Sequence, residues 1–358
     1  MLKILDRYII RKFLSTFFFM LGIIMLFAMV FDISEKLSDF IANKAPFSEI
    51  LLDYYLNFLL FYGNMFSSMI IFISVIWFTA KLAQDTEIIP MWFSGKPITR
   101  FIRPYLIGAT VLTVISLVLN HFIIPRANKV RLEFEEKYYR ESILVEDYHA
   151  DYPGNQTVYF SNFTNSSKGI SDLTVQRWND SNQPVYFLKA RSAYNLPGTF
   201  KWRLTDYYEK EIVFPKGMLV HGQKKDTIFN FKMDEMAQRE NVAESMTFSE
   251  LKALIHREKL KGSEFVPFYE IELHQRTSYP FAAYVLTIIG VSVSSQKKRG
   301  GIGINIAIGL AFVFVYIFAM KMMTVASLNV GFPPLIAVWI PNLLFSLVAF
   351  FLYRFAQK

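Results

Sequence analysis

Six stretches of about twenty residues without a formal charge dominate this sequence: Phe13 to Phe31, Tyr54 to Ala80, Pro104 to Pro125, Thr277 to Gln296, Gly300 to Met320 and Leu335 to Tyr353. Only His121 among them can ionise near neutrality. At about 1.5 Å per residue, twenty helical residues cover the ~30 Å hydrocarbon layer, and an open strand there would leave its backbone groups unsatisfied. Six crossings by helix are therefore expected. The second stretch, at 27 residues, is longer than needed and is expected to tilt or protrude. The first runs straight into Asp32-Ile33-Ser34-Glu35 without a small-residue cleavage pattern, so it reads as a retained span and not a signal peptide.

Orientation follows from Lys and Arg in the short flanks. Residues 1–12, 81–103, 297–299 and 354–358 carry 13, whereas 32–53 and 321–334 carry 3. Both termini are thus expected in the cytoplasm, with the long segment between the third and fourth spans outside. That segment, Arg126 to Glu264, holds 21 basic and 20 acidic residues, so the chain's net charge of +8 resides in the membrane half. Such a balance orients helices against anionic lipid and gives no reason to invoke nucleic acid.

From Val145 the pattern changes period. Short runs rich in β-branched and aromatic residues, among them Thr157-Val158-Tyr159-Phe160, Leu173-Thr174-Val175 and Val185-Tyr186-Phe187-Leu188, alternate with turn clusters such as Pro153-Gly154-Asn155 and Leu196-Pro197-Gly198. This predicts an all-β sandwich or open barrel. Arg126 to Glu141 reads as a charged helical extension of the third span. Thr247-Phe248-Ser249-Glu250 reads as a capping box opening a helix back toward the membrane. Asn155-Gln156-Thr157, Asn162-Phe163-Thr164 and Asn165-Ser166-Ser167 fit the glycosylation pattern but suit turns as well.

Catalytic signatures are missing from the sequence. It has no P-loop, no H-E-x-x-H, no G-x-S-x-G and no cysteine, so neither nucleotide hydrolysis nor a thiolate metal site is expected. The spans hold uncharged Asn57, Asn64, Asn120, Asn305 and Asn342, which suit glue between helices better than chemistry. A loop between the second and third spans is unusual. From Ala83 to Pro97 it carries Ile88, Ile89, Met91, Trp92 and Phe93 behind Asp85-Thr86-Glu87, with Gly95 as a stop. An apolar helix there must bury one face, either in the membrane interface or in a partner's groove, and physics leaves both open.

At this point the residues resemble a known family, the LptF/LptG permeases of the lipopolysaccharide exporter. Leu5-Asp6-Arg7-Tyr8-Ile9 looks like the opening of the LptG branch, and Lys81 through Gly95 resembles the family's coupling helix. Pro280, Gly331-Phe332-Pro333-Pro334-Leu335 and Trp339-Ile340-Pro341 are similar to its later spans. The resemblance implies a membrane α+β fold of six transmembrane helices (3+3) with an inserted periplasmic β-jellyroll-like domain: 1–125 with a coupling helix near 84–95, 126–264, and 265–358. It implies one permease half of an ABC exporter in the Gram-negative inner membrane, paired with the sister permease LptF and driven by two copies of the ATPase LptB, which would bind the ATP. LptC and LptA would meet the β domain.

For site residues the resemblance implies ATPase coupling through Asp85, Glu87, Ile88, Met91, Trp92, Phe93 and Gly95. Spans one and five would line the lipopolysaccharide cavity, with Phe17, Met25, Ile308 and Phe312 near acyl chains. Where the family uses several lysines near the outer end of span one, this chain offers only Lys36 among Asp32, Glu35 and Asp39; Arg126, Lys129 and Arg131 are alternative phosphate partners, or anchors at the membrane edge. Two other classes compete: a receptor whose outward β domain binds a ligand, disfavoured by tails of about twelve and five residues, and a lipid-modifying enzyme, disfavoured by spans without acid, base or metal ligands.

Overall fold

The computed structural model describes residues 3–88, 90, 98–139, 143–152, 154–164, 169–181, 183–195, 200–212, 217–229, 242–260, 262–263, 265–295 and 301–355. The chain divides into a helical unit, Met1–Tyr139, Glu244–Phe248 and Pro267–Lys358, and a β unit, Arg140–Ala243 and Ser249–Val266.

In the helical unit, α1 (Ile4–Ala42) is 39 residues long, near 60 Å at about 1.5 Å per residue, roughly twice what a bilayer core requires. Its start is capped by Asp6, whose carboxylate accepts the Lys3 backbone N–H at 2.9 Å. The long second stretch divides at Phe66 into α2 (Leu56–Met65) and α3 (Ser67–Gln84); the surplus length forms a separate segment. Then α4 (Ile98–Val118) and α5 (Ile124–Tyr138) join through a π-helical turn, Leu119–Ile123, into one rod. The widened turn lies just before Pro125, whose missing N–H cannot close an ordinary helical bond.

After its first residue α6 (Phe248–Leu260) belongs to the β unit, and α7 (Val266–Ser294), α8 (Gly301–Val330) and α9 (Pro334–Phe355) complete the helical unit. Gly331, at φ 74°, ends α8 in a backbone region that suits glycine, and Pro334 opens α9 where no N–H is needed. All six uncharged stretches map onto helices long and apolar enough to cross a membrane. The charged extension of the third span, predicted to begin at Arg126, is α5 and clusters with the helical unit.

Apolar clusters hold these helices together. Ile9 and Phe13 of α1 pack with Ile71, Val75 and Phe78 of α3 and Tyr105 of α4. Phe72 and Ile76 of α3 pack with Ile289 of α7, Val313 of α8 and Phe345 of α9. An aromatic group at the far end of α1 joins Phe40, Tyr54, Phe58, Phe134 and Tyr138.

The β unit contains β1 (Ile143–Tyr152), β2 (Gln156–Thr164), β3 (Gly169–Trp178), β4 (Pro184–Asn195), β5 (Lys201–Glu211) and β6 (Met218–Ile228). They pair antiparallel in chain order, a meander without crossovers. Short connections enforce this: between β1 and β2, Gly154 and Asn155 both take positive φ, which glycine and asparagine tolerate best.

A transverse row through the sheet explains how one meander encloses a core. Inward positions run Val158 and Phe160, then Phe163; Leu188 and Ala190, then Ala193; Trp202 and Leu204, then Tyr207. Each strand thus changes phase at one point, and the points align as Ser161, Asp172, Arg191 and Asp206 by the pairing register. Asp172 and Asp206, with Asp147 at the β1 end of the row, have φ near +50°. Bends of this kind re-aim side chains at a sheet corner, so apolar residues on both sides of the row face one interior.

Candidate functional site

The end of the helical unit nearest the termini is knit by polar contacts. After α3 ends at Gln84, Thr86 takes φ 61° and turns the chain. Glu87 then accepts a hydrogen bond from the Tyr8 hydroxyl of α1 at 2.9 Å, and Lys12 donates to that hydroxyl at 2.7 Å. Ile88 is buried, in the cluster with Ile9, Phe13 and Phe101. Asp85 is exposed. Residues 85–87, predicted to open a helix, form the turn. Of the predicted coupling residues, Asp85, Glu87 and Ile88 are therefore placed, and Ile88 offers its side chain to the protein's own core. Met91, Trp92, Phe93 and Gly95 lie outside the described residues. Beside this turn Asp6 is buried and accepts from Arg100 of α4 at 2.7 Å, tying the starts of α1 and α4.

Lys36 is enclosed at the opposite end of α1. It forms an ion pair with Asp32, donates to the Tyr54 hydroxyl, and lies 5.1 Å from the Tyr54 ring centre and 4.8 Å from that of Tyr139. Tyr54 and Tyr55 both donate to Asp32, at 3.1 and 3.2 Å. Burial holds the Tyr54 and Tyr139 hydroxyls well above the usual tyrosine range, so both stay neutral donors. Arg131 is likewise engaged: it donates to Asn128 at 2.9 and 2.6 Å, pairs with Glu135, and stacks 4.9 Å from the Phe61 ring centre. Arg126 and Lys129 are exposed, with no ion pair among the described residues. Two of the four predicted basic residues thus spend their charge inside the protein, and two present it outward.

The predicted acyl-chain residues also divide. Phe17 and Met25 are each 4% exposed and face inward, Met25 toward Gly63 of α2. The bare face of α1 is one position on: Phe18, Phe19, Leu26, Phe27 and Phe31. On α8, Ile308 is half-buried and Phe312 packs against the core, whereas Phe314, Val315 and Phe318 are exposed. A run such as Phe17-Phe18-Phe19 has no apolar stripe to reveal its inward side.

Sequence reasoning singled out Pro280 only as a point of resemblance, yet it is the centre of a polar node in α7. Proline lacks the N–H that would bond the carbonyl four residues back, and Asn120 donates to that orphan, the Arg276 carbonyl, at 3.3 Å. Three more side chains donate to neighbouring carbonyls of α7 that Pro280 does not orphan. Asn342 of α9 donates to the Ser278 carbonyl at 3.0 Å, Ser68 of α3 to that of Tyr279 at 3.2 Å, and Thr113 of α4 to that of Pro280 at 3.2 Å. Asn64 bonds Asn120 at 2.7 Å and Tyr316 bonds Asn342 at 2.8 Å. Asn64, Asn120 and Asn342 are thus glue between helices, as read; Asn57 donates to the Asp53 carbonyl four residues back, and the buried Asn305 Oδ1 has no partner among the described residues.

Six helices able to span a bilayer, a β sheet inserted between the third and fourth, and interior polar groups spent on helix packing describe a multi-pass membrane protein. The family model described as lipopolysaccharide export system permease LptF/LptG matches residues 7–354, and the chain belongs to that family. Membership makes it a transport subunit of the lipopolysaccharide export system in the inner membrane. The match is to the family that holds both LptF and LptG. No curated protein matches the chain.

Proposed function

We propose that this chain is the LptG-like half of an ABC exporter. In this reading it pairs with LptF, takes lipopolysaccharide from the outer leaflet of the inner membrane, and is driven by two copies of LptB seated against the 84–95 loop. Both termini and that loop lie in the cytoplasm, and the β unit lies in the periplasm. There the exposed edge strand β6, with Leu219 and Ile228 bare, suits strand addition to the bridge of LptC and LptA.

The observation that carries the reading is α1. Its start is bonded to the loop through Tyr8 and Glu87 and to α4 through Asp6, while the aromatic face further along the helix is uncovered. A push on the loop therefore reaches the helix that meets lipid. Photo-crosslinkers on the outward residues Phe27 and Phe314 should trap lipopolysaccharide during ATP turnover, and one at the inward Met25 should not. Trapping at Met25 alone would overturn the cavity assignment. Co-purification of the ATPase should be lost on Trp92→Ala; an unchanged complex would remove the docking role from this loop.

A further inference from the structure

The helical unit encloses a partly open cavity of about 280 Å³ that the export reading does not use. A cavity of this size has room for a lipid headgroup and the first carbons of its chains. Glu244, Glu272, Arg276 and Lys321 give its charged lining; Leu286 and Val313 belong to its apolar part.

The charges are not equally committed. Glu272 and Arg276 pair at 3.0 Å, and Arg276 also donates to the Met246 carbonyl at 2.7 Å. Arg131 is spent on Asn128 and Glu135. That leaves the partly buried Glu244, whose carboxylate takes a long bond of 3.3 Å from Asn128, although an ionised carboxylate has room for about four donors. Lys321, on α8, is exposed and has no ion pair among the described residues. The cavity therefore presents an under-satisfied carboxylate, an ammonium and an apolar wall.

We propose that this cavity binds a zwitterionic headgroup with a primary ammonium and a phosphate a few bonds apart, as in an ethanolamine-headed phospholipid. The ammonium brings three donors to Glu244, Lys321 meets the phosphate, and the chains leave along Leu286, Val313 and Ile317. The assignment rests on the reading of these helices as membrane spans.

Binding then depends on pH. Burial first, and next the charge of Glu272, push the Glu244 carboxyl up to about 7; Arg131 and the Asn128 bond pull the other way, and Glu135 adds to the rise. Tyr62, Arg276, Tyr279, Tyr316 and Lys321 complete the titratable or charged groups of α2, α7 and α8 around the site. Protonation of Glu244 removes the charge that holds the ammonium, so affinity falls as pH drops through about 7.

The test reconstitutes the full chain, with any subunits that co-purify, in nanodiscs of equal ethanolamine-headed and glycerol-headed phospholipid with the same acyl chains. Lipid retained after transfer to mild detergent is counted by native mass spectrometry. At pH 8 the ethanolamine-headed lipid should exceed the other by about tenfold or more, as one charge-assisted bond allows. The preference should vanish in Glu244→Gln and at pH 5.5, and Ile317→Trp, at the half-exposed wall, should expel both lipids. Displacement by millimolar free phosphoethanolamine would support the headgroup chemistry and assign it to a soluble ligand. Equal retention of both lipids by the unmutated chain, or full preference in Glu244→Gln, overturns the proposal. Neither ATP nor lipopolysaccharide enters the measurement, so that failure leaves the export reading standing.

Discussion

Replacing Gly108 by alanine tests how α1 is held. A methyl at Gly108 would lie 2.4 Å from Cδ1 and 2.8 Å from Cε1 of Phe13, well inside contact distance. The ring has nowhere to go: Phe13 is fully buried and packs against Phe78 and Tyr105 at ring distances of 5.8 and 6.5 Å. Overpacking of this kind costs about 1–3 kcal/mol, and the 2.4 Å approach to a fully buried ring puts this site at the upper end, about 2–3 kcal/mol; alanine's better helix propensity returns about 0.5–1 kcal/mol, leaving a net loss of about 1–2.5 kcal/mol. Thermal unfolding of the full chain in mild detergent, followed by circular dichroism, reads the change. Phe13→Leu opens the space the methyl needs, so the double variant should be more stable than the two single losses predict, by about 1–2 kcal/mol. Gly22→Ala, with nothing within 4 Å, is the control and should not destabilise. If Gly108→Ala unfolds like the unmutated chain, or if the two changes simply add, the α1–α4 contact described above is wrong.

Asp6→Ala removes both the cap on α1 and the partner of Arg100, and should cost about 1–3 kcal/mol in the same assay, with Asp6→Asn recovering only the capping part. Asn342→Leu strands the Tyr316 hydroxyl and frees the Ser278 carbonyl, a loss of about 1–2 kcal/mol, while Tyr316→Phe should cost about 0.6 kcal/mol. Trp202→Ala empties the fully buried centre of the β unit and should cost about 3–5 kcal/mol; protection of β-unit amides from hydrogen exchange would fall.

The membrane half was legible because a single quantity, the distance between charges, sets the length of a spanning helix. Helix faces were not legible, since spans that are apolar all round carry no stripe. That is why sequence could place Phe17 and Met25 only near acyl chains without a facing, while the structure turns them inward and Phe18 and Leu26 out. In the β unit, alternation located the strands but concealed the corner, where the phase changes. Its mark in the text was faint: Asp147, Asp172 and Asp206 each stand just before an inward Tyr or Leu, and aspartate is among the few residues that accept positive φ. Lys36 was read as a phosphate partner because sequence shows its charge but not the ring of Tyr54 and Tyr139, which come from distant elements. Ile88 was read as part of a docking face for the same reason: its neighbours Ile9 and Phe13 lie far along the chain.

These placements locate the working surface of α1. Polar contacts fix its first turns through Asp6 and Tyr8, and the Asp32–Lys36–Tyr54 cluster and Phe40 fix its far end. Between them, Phe18 to Phe31 has one side against the protein and one side bare. A helix held at both ends transmits a displacement along its length with little bending, because its backbone hydrogen bonds lie along the axis. The bare aromatic face between the anchors is therefore the part of α1 that would carry such a displacement to whatever covers it. Basic groups enclosed at the far anchor add little to binding there, since Asp32 already neutralises Lys36. Arg126 and Lys129, by contrast, are exposed and have no ion pair to break among the described residues, so an anionic group could meet them without that cost.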